Sequence, residues 1–471
     1  MASPGWKPRG SISTWWSASL AFVSDILDRV RAELPGVRAD LERLVRIPSV
    51  SAPGWDGAPV RQSAEAVVEV LRASGAEARV VEVPGGRPAV VGRVAGPPGA
   101  PTVLLYAHHD VQPPGAAELW KTPPYEPTER DGRLFGRGTS DDKAGVATHA
   151  AVLRAWGGKP PVGVALFIEG EEESGSAHLP AYLAREHDTL RCDAVVVADA
   201  GNWRVGQPAL TTTLRGIVAC TVEVRTADHA VHSGSYGGPV PDALSAIAHV
   251  LAALHDERGR VRVAGLVHAD AEPLDLSEDE LRGFAGVRPS VRLLGDGTLT
   301  SRLWRQPAVS VLGIDATPVL KASNQLVPFA RARVSMRIPP GQDGAAAMAA
   351  LRAHLEKSAP WGVEVTVIPD PIGEPFVVST ETAAYRAMRD ALRDAWRTEP
   401  LDIGIGGTIP FLHEFTAAFP GVAVVVTGMG DPASNAHSEN ESLHLGDFAS
   451  GCVAEALFLE RLAAVSGGAK A

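Results

Sequence analysis

Four short apolar runs constrain this chain more than any other feature of its sequence. They span residues 103–107, 162–168, 194–198 and 422–427, and none alternates with polar residues. Unbroken runs of this length are the pattern of strands buried on both faces, which occur where helices cover both sides of a largely parallel sheet. Helical periodicity surrounds them, at 25–45, 61–74, 144–156, 179–185 and 381–396. Pro35 and Gly36 interrupt the first of these and predict two helices or one bent helix. The alternation of strand and helix predicts an α/β domain.

Between residues 211 and 370 the texture changes. Strand patterns at 221–224, 332–338 and 363–368 alternate with polar residues, and helical patterns at 243–255 and 345–355 lie between them. Such a mixture predicts an α+β domain on an antiparallel sheet, inserted into the α/β domain. Residues 24–210 and 371–465 would then form one discontinuous domain around the insertion, with 1–23 a loose leader and 466–471 a tail. The leader reads poorly as a secretory signal, because serines interrupt its apolar stretch and no small-x-small site precedes Asp25.

Composition serves here to exclude. Lys and Arg number 44 against 55 Asp and Glu, a net charge of −11, so the molecule as a whole repels phosphate backbones and anionic lipid heads. Nucleic acid and membrane partners are not expected, and no apolar run approaches the roughly 20 residues of a spanning helix. Cys192, Cys220 and Cys452 lie far apart, with neither the even count of a disulfide framework nor the clustering of a thiolate metal site. A cytoplasmic protein is the expectation.

Ionisable residues follow the apolar runs directly. In a parallel α/β sheet, ligands gather beyond the carboxyl ends of the strands. The run 103–107 delivers His108, His109 and Asp110; the run 162–168 delivers Glu169, Glu171, Glu172 and Glu173; the run 194–198 delivers Asp199. A glycine-bearing loop, Gly136 to Gly145, carries the adjacent pair Asp141 and Asp142, and the last run is followed by a turn leading to His437. Taken singly, each has an ordinary reading: a solvated turn, a helix N-cap, an acidic loop. Together they would place many carboxylates and two histidines on one sheet edge, where repulsion calls for a metal.

These segments, in this order, resemble the co-catalytic di-zinc metallopeptidase family that includes carnosinase-like dipeptidases, glutamate carboxypeptidases and aminoacylases. The resemblance runs from about residue 25 to 462 and rests on the segments at 106–113, 131–143, 169–176, 199, 232–238, 406–410 and 436–441. It implies an α/β catalytic domain with a mostly parallel sheet, interrupted by an inserted α+β dimerisation (lid) domain, and a homodimer formed through that insertion. It implies two divalent ions, Zn2+ before Mn2+ or Co2+, with Asp141 shared, His108 and Asp199 completing one site, and Glu173 and His437 the other. Glu172 matches the general base, Asp110 the acid that orients His108, and His232 an insertion-domain residue that steadies the oxyanion in the partner's site. Arg337 matches the residue that grips the substrate's carboxylate, and Thr408 offers a hydroxyl and local amides for the same task.

The implied reaction is hydrolysis of a dipeptide or short peptide by a hydroxide shared between the two metals. Removal of an acyl group from an N-acylamino acid uses the same centre and is the alternative; a binding protein without turnover is the other, disfavoured because every ligand and the base are present. The chain departs from the pattern at Gly404 and Ile405, where carnosinase-like members carry an Arg-Glu pair, and at 324–326 ahead of Val327 and Pro328.

Overall fold

The computed structural model describes residues 13–468 of the chain. Most of the expected leader, residues 1–12, and residues 469–471 of the expected tail lie outside the described residues. The backbone is already helical from Ser13, ahead of the expected start, and one uninterrupted helix runs through Ser13–Val45 with Pro35 inside it. Pro35 is exposed, as is Arg31, whose carbonyl it leaves without a donor, while Ile26, Val30, Val37, Leu41 and Leu44 bury a common stripe on both sides of it.

Backbone contacts divide the chain into two compact units, one comprising the residues up to Leu210, Ser379–Leu401 and those from Glu414, the other Thr211–Val378 and Asp402–His413. The first unit is built on a six-stranded sheet whose order is Glu77–Val81, Ala89–Val94, Gly163–Glu169, Thr102–His108, Ala194–Val197, Ala423–Val426. The last four are mutually parallel and the first two pair antiparallel at one edge. Gly163–Glu169 is buried along its whole length and Thr102–His108 from its second residue. Helices Ser13–Val45, Lys143–Ala155, Ala383–Trp396 and Leu445–Gly468 pack against one another and the sheet. The parallel register sets His108 opposite Glu169, so neighbouring strands release their ionisable ends at one level.

The second unit holds a four-stranded antiparallel sheet in the order Ala308–Asp315, Phe329–Ile338, Gly216–Arg225, Glu364–Pro369. Alternate residues Val218, Cys220, Val222 and Val224 pack with Ile247, Val250, Met348 and Leu351 of the helices Ala243–Ala252 and Gly344–Lys357. Residues 371–378 and 402–413, expected in the catalytic domain, group with this unit instead. Leu401–Ile405 and Phe376–Val377 flank Ala209–Leu214 in a small sheet, which ties both segments to the chain entering the insertion.

Candidate metal centre

His108 closes its strand with a fully buried imidazole, whose Nε2 lies 3.0 Å from Asp141 Oδ1 and 3.8 Å from Asp199 Oδ1. The other carboxylate oxygen of Asp141, Oδ2, lies 2.9 Å from His437 Nε2, which in turn is 3.2 Å from Glu173 Oε2. Asp141 therefore offers one oxygen to each of two histidines, and each histidine has a second carboxylate beside it. Donor atoms of His108, Glu172 and Asp199 fall within 4.8 Å of one another, as do those of His108, Asp141 and Glu173. His437 holds φ 64°, a left-handed backbone that non-glycine residues adopt at a cost of roughly 1 kcal/mol or more and that often marks functional sites.

The electrostatics point the same way. Burial, with the Asp141 and Glu173 charges near, pushes Asp199 up to about 6 despite its hydrogen bond with His108. Burial and the Asp199 carboxylate raise Glu172 well above the usual carboxylate range. Hydrogen bonds with Asp141 and Glu173 push His437 up to about 11, and His108, though desolvated, is raised by Asp110, Asp141 and Asp199. Both imidazoles are held toward their protonated forms by surplus carboxylate, the mark of a cluster that needs positive charge. Histidine and carboxylate donors without thiolate suit zinc, and also manganese or cobalt, so the residues present fit the divalent ions the sequence implies.

Neighbouring side chains hold this arrangement. Asp110 accepts the backbone N–H groups of Glu172 and Glu173, at 3.3 and 3.1 Å, while its own carbonyl lies 3.1 Å from His108 Nδ1. Gln112 donates from Nε2 to Glu173 Oε2 at 2.9 Å. Glu441, fully buried, accepts from Ser140 N–H and Asp141 N–H with one oxygen, and from Gly138 N–H and the Arg137 guanidinium with the other. Asp142, fully buried beside Asp141, accepts the backbone N–H of His108 at 3.2 Å rather than bonding its imidazole. A side chain on Gly145 would stand 2.7 Å from Asp142 Oδ1, so only glycine fits there. Glu171 bonds His178 and the Arg87 N–H, a purely structural set of partners. Gln112 and Glu441 lay inside segments read from the sequence yet carried no assignment, because nothing local marks a loop residue whose partners lie far along the chain.

The remaining candidates belong to the second unit. His232 is exposed, and its Nδ1 accepts the Gly234 N–H at 3.0 Å. That bond leaves the proton of the neutral ring on Nε2, facing outward as a donor. Arg337, half-buried in Phe329–Ile338, donates from Nη1 to Thr408 Oγ1 at 3.1 Å, and Thr408 donates to the carbonyl of Arg215 at 3.0 Å. The sequence named Arg337 and Thr408 separately; the fold joins them.

A carboxylate shared by a buried and an exposed histidine beyond the carboxyl ends of a parallel sheet, with a glutamate of raised affinity for protons nearby, is the donor set of a metal-dependent hydrolase. The chain belongs to Peptidase family M20/M25/M40, whose model matches residues 104–461, and is a hydrolase acting on peptide bonds. It is 34% identical over 369 residues to a cysteinylglycine-S-conjugate dipeptidase of Corynebacterium striatum, covering 76% of this chain and 81% of that one. Its fold is similar to human carnosine dipeptidase 1, with a TM-score of 0.81 at 26% identity over 94% of this chain and 99% of that one. The di-peptidase Dug1p of Saccharomyces cerevisiae matches with a TM-score of 0.81 at 25% identity, over 94% and 98%.

Proposed function

We propose that the chain is a dipeptidase that binds two divalent ions, one through His108 and Asp199, the other through His437 and Glu173, with Asp141 common to both. Such a pair, when bound, polarises an amide carbonyl and lowers the pKa of water. Glu172, whose carboxylate is raised by burial beside Asp199, takes the proton of the attacking water and delivers it to the leaving amine. The Nε2–H of His232 supplies a hydrogen bond to the carbonyl oxygen of a substrate in the partner subunit's site as negative charge develops on it. Arg337 and Thr408 hold the carboxylate at the substrate's C-terminus.

The protein acts as a homodimer through its insertion. Strand Ala308–Asp315 is a sheet edge on which Val311, Leu312 and Ile314 are exposed, followed by Val319 and Leu320 at 90% and 100% exposure. An exposed apolar edge is a template for pairing that a second copy can cover. Cys192, Cys220 and Cys452 are all free, consistent with a reducing cytoplasm.

The observation that carries this reading is the division of Asp141 between His108 and His437. Metal-loaded protein is offered free dipeptides, their N-acetylated counterparts and N-acylamino acids, with a chelated sample as control. Chelator-sensitive cleavage of free dipeptides alone is expected. Cleavage of only the blocked substrates would make it an acylase, and no cleavage of any would refute turnover at this centre.

A further inference from the structure

Two guanidinium groups of the second unit, those of Arg215 and Arg337, are linked through Thr408 and, among the described residues, have no acid to balance them. Arg215 follows Ala209–Leu214 and is only 9% exposed, its Nε has no hydrogen-bond partner, and Nη1 makes just a long 3.4 Å contact to the Gln306 carbonyl. Burial and the positive charge of Arg337 pull Arg215 down to about 10, and desolvation lowers Arg337 as well. Among the described residues, no carboxylate pairs with either. Thr408 connects them, accepting from Arg337 and donating to the Arg215 carbonyl.

The surrounding glycines show why no acid is there. A side chain on Gly406 would stand 2.6 Å from Arg215 Nη2, so the guanidinium lies over bare backbone. A side chain on Gly404 would meet Trp304 Cβ and Cγ at 2.7 Å, and Ile405 brings no charge. The positions where carnosinase-like chains carry an Arg-Glu pair are thus filled by packing rather than charge. A buried guanidinium without a counter-ion is costly, and a bound anion removes that cost. In the dipeptidase reading Arg337 meets the substrate's α-carboxylate, which leaves Arg215 free for a second one.

Resting on that reading, we propose that Arg215 and Arg337 together bind a dicarboxylate end, so that the preferred substrate is a dipeptide whose C-terminal residue is aspartate or glutamate. The test compares Ala-Glu with the near-isosteric Ala-Gln as substrates of the metal-loaded enzyme. Wild type should favour Ala-Glu by roughly tenfold or more in kcat/KM, as a charged hydrogen bond would give. Arg215→Gln should erase the preference, and Arg215→Lys should restore part of it. Equal rates in the wild type, or an equal loss on both substrates in a variant whose melting temperature is unchanged, would overturn the proposal. Should Arg215→Gln fail to fold, the ratio is read from Arg215→Lys, where it must fall. Calorimetric binding of L-glutamate against L-glutamine separates the two readings. If neither dipeptide is cleaved but glutamate binds more tightly and the variant loses that preference, the subsite stands and the dipeptidase reading falls; equal binding removes the subsite.

Discussion

In the first unit Asp110, Asp141, Glu172, Glu173 and Asp199 crowd around two histidines, whereas in the second Arg215 and Arg337 share a threonine and, among the described residues, pair with no acid. Both arrangements take charge out of water, and both leave it unbalanced. Other arginines of the first unit do meet an acid: Arg137 lies 2.8 Å from Glu441 and Arg133 2.8 Å from Asp431. The contrast teaches that the sign of the imbalance describes the missing guest. Surplus carboxylate calls for cations, and surplus guanidinium calls for an anion.

The largest effect is expected at the shared carboxylate. Asp141→Asn should release metal, read by elemental analysis after dialysis, and abolish turnover; retention of both ions would break the account of the acidic cluster. Next, Glu172→Gln should lower kcat by about 10²–10⁴-fold with metal content unchanged, which separates proton transfer from ligation. On the basic side, Arg337→Leu should lower kcat/KM on unblocked dipeptides by roughly 10–100-fold, with kcat the less affected.

The smallest effect concerns an acid the cluster does not use. Burial pushes Glu169 up to about 8, against its hydrogen bond from Tyr106. Since this exceeds its ordinary 4.5, the fold favours the protonated acid, whose contribution is complete at low pH and is lost as pH rises through about 8. Denaturant titrations from about pH 5 to about pH 8 should show wild type losing stability relative to Glu169→Gln, by at most about 1.4 kcal/mol per pH unit.

Much of the first unit was legible because its signals are local. Residues 162–168 and 194–198 had to be strands covered on both faces, and the ionisable residue that follows each had to emerge at one edge of the sheet. Strand Ala89–Val94 and edge strand Ala308–Asp315 went unread, the second because its apolar residues face outward. Of the two helices or one bent helix that Pro35 and Gly36 allowed, a single helix forms, because an exposed proline costs less than its buried flanks contribute. Thr408 was legible, but not its membership of the second unit, which depends on the partners of Leu401–Ile405. Arg215 carried no signal at all, since an arginine after a strand is ordinary until its lack of partners is seen.

Glu441 reaches back 301 residues to Ser140, and His437 beside it faces Asp141. During synthesis the chain emerges from the ribosome with His108, Asp141, Glu173 and Asp199 long before either of them. The nascent protein therefore carries an open acidic edge with four of the five proposed ligands while residues 200–436 are made, and the proposed centre is complete only once His437 has emerged.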